Sequence, residues 1–417
     1  MTPFVERRRR LLGQIGSGSV AVLFAAPEQR RSNDTFFPYR QNSYFHYLTG
    51  FPEPESVLVL DGSAQAAVLF CRDKDDVSEI WEGFRYGADA AREAFGMDAA
   101  YSIASWREQM PKILQNAQRL LVLPEEGGAA GQALVRHWQK IKNGAAVENL
   151  AACLDGMRLI KDRHETDLLK TAGEISAAAH IRAMQKTRPD ISELHIEAEL
   201  LHEFMRRGAR FPAYPSIVAG GKNACCLHYT ANNDTLRNGD LLLVDAGAEY
   251  QGYAGDITRT FPVNGRFGGA QKDLYEVVLA ANEAAIAAVK PGAAWAGIQQ
   301  TALNILARGM VDFKLLAGTV EGNIESGAFK RYYMHGLGHW VGLDVHDTGG
   351  RPAVLQAGMC TTVEPGIYIA AAADIPACFH NIGIRVEDNV LVTESGCENY
   401  TAAAPKSVAA IEETMRG

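Results

Sequence analysis

Four acidic residues interrupt apolar, β-branched runs in the C-terminal half of the chain. LLLVD ends on Asp245, DITRTF begins on Asp256, CTTVEPGIYI carries Glu364 and GIRVEDNVLVT carries Glu387. Runs of that composition read as strands. A carboxylate carried into a buried strand needs an ion partner, hydrogen-bond donors or a cation. Any fold of this chain must therefore bring strands together so that the four charges find partners.

The first two acids lie on LLLVDAGAEYQGYAGDITRTF, which reads as a hairpin turning near Gln251–Gly252. Asp245 and Asp256 then face each other within a residue or two of register. Side chains directly opposed in a hairpin have Cβ atoms roughly 4.5–5.5 Å apart. Carboxylates at that separation repel, and one holds its proton unless a cation lies between them. Two aspartates capping the turn are the alternative. Arg385 precedes Glu387 by two positions and shares its face on an extended chain. That pair reads either as part of a site or as an ion pair on a half-exposed strand.

HGLGHWVGLDVHD, residues 335–347, adds three histidines. His335 and His339 have the spacing by which a helix presents two ligands to zinc, but Gly336 and Gly338 would each cost a helix roughly 1 kcal/mol. WVGLDVHD alternates apolar and polar residues and suits a strand. On an extended chain His335 and His339 lie roughly 13 Å apart, so at most one of them ligates a given ion. His346, beside Asp347, then reads as a proton-transfer or substrate-binding group.

The length of 417 residues gives a prior of two domains. The first 158 residues mix strand runs (VAVLFAA, SVLVLDG, AAVLF, RLLVLPE) with helical stretches, an α/β pattern. A seam near MRLIKDRHE precedes residues 159–417, where two helices and a run of strands occur and then recur, an α+β pattern in two similar halves. RRRRLLGQIGSGSVAVLFAAPEQ looks like a secretion signal, but Gln14, Gly16 and Gly18 break its apolar stretch. It reads instead as a basic helix end, a Gly/Ser turn and a buried strand. No apolar run reaches about 18 residues, so no membrane span is expected. A net charge of −8, with no long basic run beyond residues 7–10, excludes nucleic acid as the expected partner. Seven scattered cysteines without C-x-x-C point to a reducing, cytoplasmic setting. GSGSVA precedes a strand and so is not a dinucleotide fingerprint, and the chain has neither G-x-S-x-G nor H-E-x-x-H.

Taken in order, VDAGAEYQGYAGDITRTF, HGLGHWVGLDVHD, TVEPGIYI and GIRVEDN resemble the pita-bread metallopeptidases, which include aminopeptidase P, prolidase and methionine aminopeptidase. The likeness is greatest to bacterial aminopeptidase P and runs nearly the whole length, through SNDTFFPYRQNSYFHYLTGFPEPESVLVL, EIWEGFRYGADAA and FPAYPSIVAGGKNACCLHYTANN. Tyr44 and His46 depart from that pattern, and the loop after His346 is shorter than usual. The resemblance implies an α/β N-terminal domain and a pita-bread catalytic domain. It implies Asp245, Asp256, His339, Glu364 and Glu387 as ligands of two divalent ions, Mn²⁺ by the character of the donors, with Asp256 and Glu387 bridging. A metal-bridging hydroxide would attack, with Glu364 as general base, His346 and His228 steadying the oxyanion, and His335 and Arg385 in support. Tyr214, Tyr368 and Trp81 would line the pocket, the Trp81 counterpart arriving from a neighbouring subunit in tetrameric relatives. Arg351 is loosely matched to a substrate-contacting arginine. The implied activity is release of the N-terminal residue from peptides with proline second, by a homo-oligomer (dimer or tetramer). The alternatives are a prolidase confined to Xaa-Pro dipeptides and a metal-free binding protein on the same fold.

Overall fold

The computed structural model describes residues 2–123, 126–350 and 354–417. Arg351 lies outside the described residues. The chain divides into two compact units, Met1–Met157 and Arg158–Gly417.

In the first unit the basic run is part of the helix Pro3–Ile15, which buries Leu11, Leu12 and Ile15. Arg8 is buried and donates to the carbonyls of Leu48 (2.8 Å), Phe95 (2.9 Å) and Gly96 (2.7 Å). Those carbonyls belong to the ends of the helices Ser43–Thr49 and Gly87–Phe95. One guanidinium thus caps two helix C-termini, where a cation is favoured. Among the described residues a mixed sheet runs in the order Ala99–Ser102, Ala66–Cys71, Val57–Asp61, Ser19–Phe24, Arg119–Val122, Glu148–Asn149. Trp106 packs edge to face against Phe24 and Phe70 of that sheet.

The second unit begins with the helices Arg163–Lys186 and Glu193–Arg206. Asp162 and Glu165 form a reciprocal capping box at the first helix start. The antiparallel sheet Ile217–Gly220, Leu241–Asp245, Thr258–Pro262 follows. The pattern then repeats: the helices Gly269–Ala288 and Trp295–Asp312, then strands. In this second half Cys360–Val363 pairs with Asp388–Val392, whereas the next stretch, Gly366–Ile369, pairs with Ile382–Arg385 in a different sheet. Both chains therefore change sheets at the same level, one at Glu364–Pro365 and the other at Val386–Glu387. The two glutamates stand in those breaks rather than inside strands. Helix and sheet faces meet in one apolar core that includes Ile196, Leu242, Phe261, Leu306 and Ile384.

HGLGHWVGLDVHD is not a helix, and apart from a bridge between Trp340 and Thr361 it is not a strand either. Burial does not follow the alternation: Trp340–Leu343 are buried in succession, and His346 is exposed. Among the described residues no helix is long and apolar enough to cross a membrane.

Candidate metal centre

Asp245 ends its strand opposite Thr258. Between the two, the chain makes a smaller hairpin, Ala248–Tyr250 with Tyr253–Ala254, turning at Gln251 (φ 49°) and Gly252 (φ 88°). Two positive φ values are what a tight hairpin turn requires. The turn falls where the sequence predicts it, but the hairpin is in two pieces. Asp256 lies just before the second long strand, fixed by its N–H donating to Asn389 Oδ1 (2.8 Å).

His339 is stitched to the strand that leads to Glu364. Its N–H donates to Thr362 Oγ1 (3.0 Å), and the Thr362 N–H donates back to the His339 carbonyl (2.9 Å). Thr362 Oγ1 in turn donates to Glu364 Oε1 (3.2 Å). Gly338 is obligatory in this arrangement, because a Cβ there would lie 2.2 Å from the Thr362 carbonyl oxygen. His339 Nδ1 donates to the Trp340 carbonyl (3.0 Å), which leaves Nε2 as the lone-pair nitrogen of the neutral ring. Nε2 lies 3.4 Å from Asp256 Oδ2 and 3.5 Å from Glu364 Oε1. Donor atoms of Asp256, His339 and Glu387 all fall within 4.8 Å of one another.

Thr258 and Arg385 support these acids from behind. Arg385 Nη2 donates to Asp245 Oδ2 (2.6 Å), Nη1 to Tyr368 Oη (2.8 Å) and Nε to Thr258 Oγ1 (3.0 Å). The Thr258 hydroxyl then donates to Glu387 Oε2 (2.6 Å). Arg385 thus pairs directly with Asp245 and reaches Glu387 through a threonine, and both residues are buried. The surface-pair alternative fails. Since the Tyr368 oxygen accepts from Arg385, its own proton goes to His335 Nε2 (2.8 Å), and His335 Nδ1 donates to the Gly336 carbonyl (2.8 Å). Burial and the Arg385 charge hold the His335 imidazole down to about 4, consistent with that neutral tautomer.

The acids as they stand have too few protons. The Tyr214 hydroxyl lies 2.6 Å from Asp245 Oδ1 and also 2.6 Å from Asp256 Oδ1, but it has one proton to give. Burial pushes the Glu364 carboxyl up to about 7 against the opposing pull of His339 and Arg385. Burial, then the charges of Asp256, Glu364 and Asp245, push Glu387 far above the usual carboxylate range. Asp256 is raised by burial and by Asp245, with His339 opposing. Burial lowers the His339 imidazole, but the bond and charge of Asp256 and the charge of Glu364 outweigh it and bring the group up to about 9. Oxygen-rich donors that must hold protons to coexist fit divalent cations well.

These shifts have one sign. The carboxyls stabilise the folded metal-free protein when protonated, and that contribution fades as pH rises from their unfolded values through their folded ones. The His339 contribution is full below the ordinary imidazole value and fades through about 9. Metal must displace these protons, so its binding strengthens over the same interval. The rise in melting temperature on adding Mn²⁺ to chelator-treated protein is expected to be larger near about pH 8.5 than near about pH 6. Calorimetry at both values checks this, and an equal or reversed increment contradicts it.

The site opens into a cavity of about 540 Å³. Tyr214, His228, His335, His339, His346, Glu364 and Arg385 line it together with Asp245, Asp256 and Glu387. Burial and the neighbouring His339 charge lower the His346 imidazole. Tyr368, expected in the wall, is buried behind it and acts on His335 and Arg385. Trp81 belongs to the first unit, on the helix Asp76–Glu82, and is 84% exposed. Sequence reading missed Thr258, Thr362 and Asn389 and the apolar lining of Ile217, Leu227 and Val345. Only Thr258 had a signal: it is a polar residue opposed to Asp245 in the hairpin.

Residues 167–394 match the family described as metallopeptidase family M24, and residues 4–122 match the aminopeptidase P N-terminal domain. The chain is similar to a Xaa-Pro aminopeptidase of Haemophilus influenzae, 46% identical, the match covering 99% of this chain and 96% of that protein. A Xaa-Pro aminopeptidase of Escherichia coli is 44% identical, with 99% and 97% covered. Among solved structures, E. coli aminopeptidase P with the inhibitor Pro-Leu superposes with a TM-score of 0.96 at 44% identity, covering 99% of this chain and 98% of that one.

Proposed function

The chain belongs to metallopeptidase family M24, and from that premise we propose that it releases the N-terminal residue from peptides with proline in second position. The observation that carries the reading is the convergence of Asp256, His339 and Glu387 within 4.8 Å, beside a cavity wide enough for a short peptide. The relatives that match it end to end are Xaa-Pro aminopeptidases.

Asp245, Asp256, His339, Glu364 and Glu387 would hold two divalent ions. Four carboxylates and one imidazole make a hard donor set that suits Mn²⁺. When bound, such ions polarise a carbonyl and lower the pKa of a coordinated water toward about 7. The protein's own groups do the rest. Glu364 lines the cavity beside His339 and is placed to accept a proton from the attacking water. His228 and His346 line the cavity and donate toward the carbonyl oxygen as charge develops there. Arg385 pairs with Asp245 and aligns it through a charge-assisted hydrogen bond. The His335–Tyr368–Arg385 chain fixes a neutral imidazole in the wall. An Xaa-Pro bond has no N–H for a general peptidase to grip, so a wall carrying Ile217, Leu227 and Val345 around a dedicated site suits the proline ring. The exposed face of Val77, Ile80, Trp81 and Phe84 (65–84% exposed) supports a homo-oligomer.

The test compares Xaa-Pro dipeptides with Xaa-Pro-Xaa tripeptides on Mn²⁺-supplemented protein. Tripeptides are expected to be cleaved after the first residue. Activity confined to dipeptides would make the chain a prolidase and overturn the substrate assignment.

A further inference from the structure

The segment that opens the second unit holds two buried cations with no place in the ligand set. The side chains of Arg158 and Lys161 are 1% and 0% exposed. Both turn toward the loop that carries His346. Arg158 Nη2 donates to Asp344 Oδ2 (2.7 Å) and to Asp347 Oδ1 (2.5 Å). Lys161 Nζ donates to Asp347 Oδ2 (2.9 Å). The two aspartates bracket Val345 and His346, and those two residues line the substrate cavity.

The loop is pinned at its ends and not at the imidazole. The Lys161 N–H donates to the Gly358 carbonyl (2.9 Å), and the Asp347 N–H to the Trp340 carbonyl (2.8 Å). Gly342 lies so close that a Cβ there would sit 2.2 Å from Asp347 Oδ2. Among the described residues no hydrogen bond holds the His346 ring, whose neighbour is the His339 ring at 4.2 Å between centroids, edge to face. The direction of the imidazole is therefore set through its backbone, and the backbone is set by the aspartates on either side. A buried ion pair that loses one member leaves a charge without compensation, so the loop would have to move to solvate it.

We propose that Arg158 and Lys161 are positioning residues for His346, acting through Asp344 and Asp347. The inference rests on the reading of His346 as a group that steadies charge on the reacting carbonyl. A shift of about 1 Å in such a group costs about 10²-fold in rate, and removing one oxyanion donor costs about 10²-fold or more.

The experiment is a double-mutant cycle on the Mn²⁺-loaded full chain with an Xaa-Pro-Xaa tripeptide. Lys161→Met and His346→Ala are each expected to lower kcat by about 10²-fold with KM and metal content little changed. In the His346→Ala background, Lys161→Met should cost no more than about twofold, because a group acting through an absent imidazole has nothing left to lose. Asp344→Asn gives the same test at a site whose side chain is 42% exposed, with a smaller loss of about tenfold, if Lys161→Met does not fold. Additive losses, with His346→Ala impaired, overturn the positioning role and leave His346 in place. An undiminished kcat in His346→Ala removes the role from His346 and overturns both.

Discussion

Glu387→Ala abolishes peptide hydrolysis and reduces the bound metal, and Asp256→Ala does the same: that is the expected result with the largest effect. Donor atoms of both acids lie within 4.8 Å of each other and of a His339 donor atom. Both acids are buried, and each supplies a donor atom at the point where the three side chains converge. Removing Glu387 also leaves the Thr258 hydroxyl without its acceptor, although Thr258 Oγ1 still accepts from Arg385 Nε. Loss of several kcal/mol of transition-state stabilisation corresponds to about 10³-fold or more in kcat/KM. Metal analysis beside steady-state kinetics checks the prediction. His335→Ala serves as the contrast: its Nε2 is engaged with Tyr368 and its Nδ1 with a carbonyl, so metal content should stay near that of the unmodified protein. Full activity in Glu387→Ala, or loss of metal in His335→Ala, would overturn the ligand assignment.

The second large effect is expected at Glu364. Glutamine keeps the size and one oxygen of the side chain but removes its ability to take a proton. The expected loss is about 10²–10⁴-fold in kcat, the range for a general base. Because the carboxyl without metal is raised to about 7, activity of the unmodified enzyme should fall as pH drops below neutrality, when the base becomes protonated. A bound cation draws that value downward, so the acidic limb should lie below about 7 in the loaded enzyme. The pH profile of kcat/KM tests both points. In Glu364→Gln the acidic limb should flatten, and an unchanged kcat would remove the base role from this residue.

Much of the site was legible because its residues break a local rule. An acid at the end of LLLVD, or between two β-branched runs, is costly unless it is used, and that cost is visible without any structure. The turn at Gln251–Gly252 and the helices of the second unit followed from short-range chemistry in the same way. What stayed hidden was set by contacts distant in sequence. Nothing in GIRVEDNV says that Arg385 pairs with Asp245, or that Glu387 takes its hydrogen bond from Thr258. WVGLDVHD looked like a strand because it alternates, whereas the structure turns its charged residues onto Arg158 and Lys161 and leaves Trp340 as its bridge to Thr361. Tyr368 was expected in the pocket by family resemblance, yet its hydroxyl is engaged by an arginine and a histidine.

The breaks at Glu364–Pro365 and Val386–Glu387 have a bearing on how such an enzyme can change over generations. The ladders on either side of the two breaks, Cys360–Val363 with Asp388–Val392 and Gly366–Ile369 with Ile382–Arg385, lock the glutamates at one level. The segment from 370 to 381 closes the loop beyond the second ladder. Residues can be inserted or deleted there without altering the separation of the two carboxylates. The rim of the enzyme is thereby uncoupled from its reactive centre, and new surface features can be tried on one while the other is inherited intact.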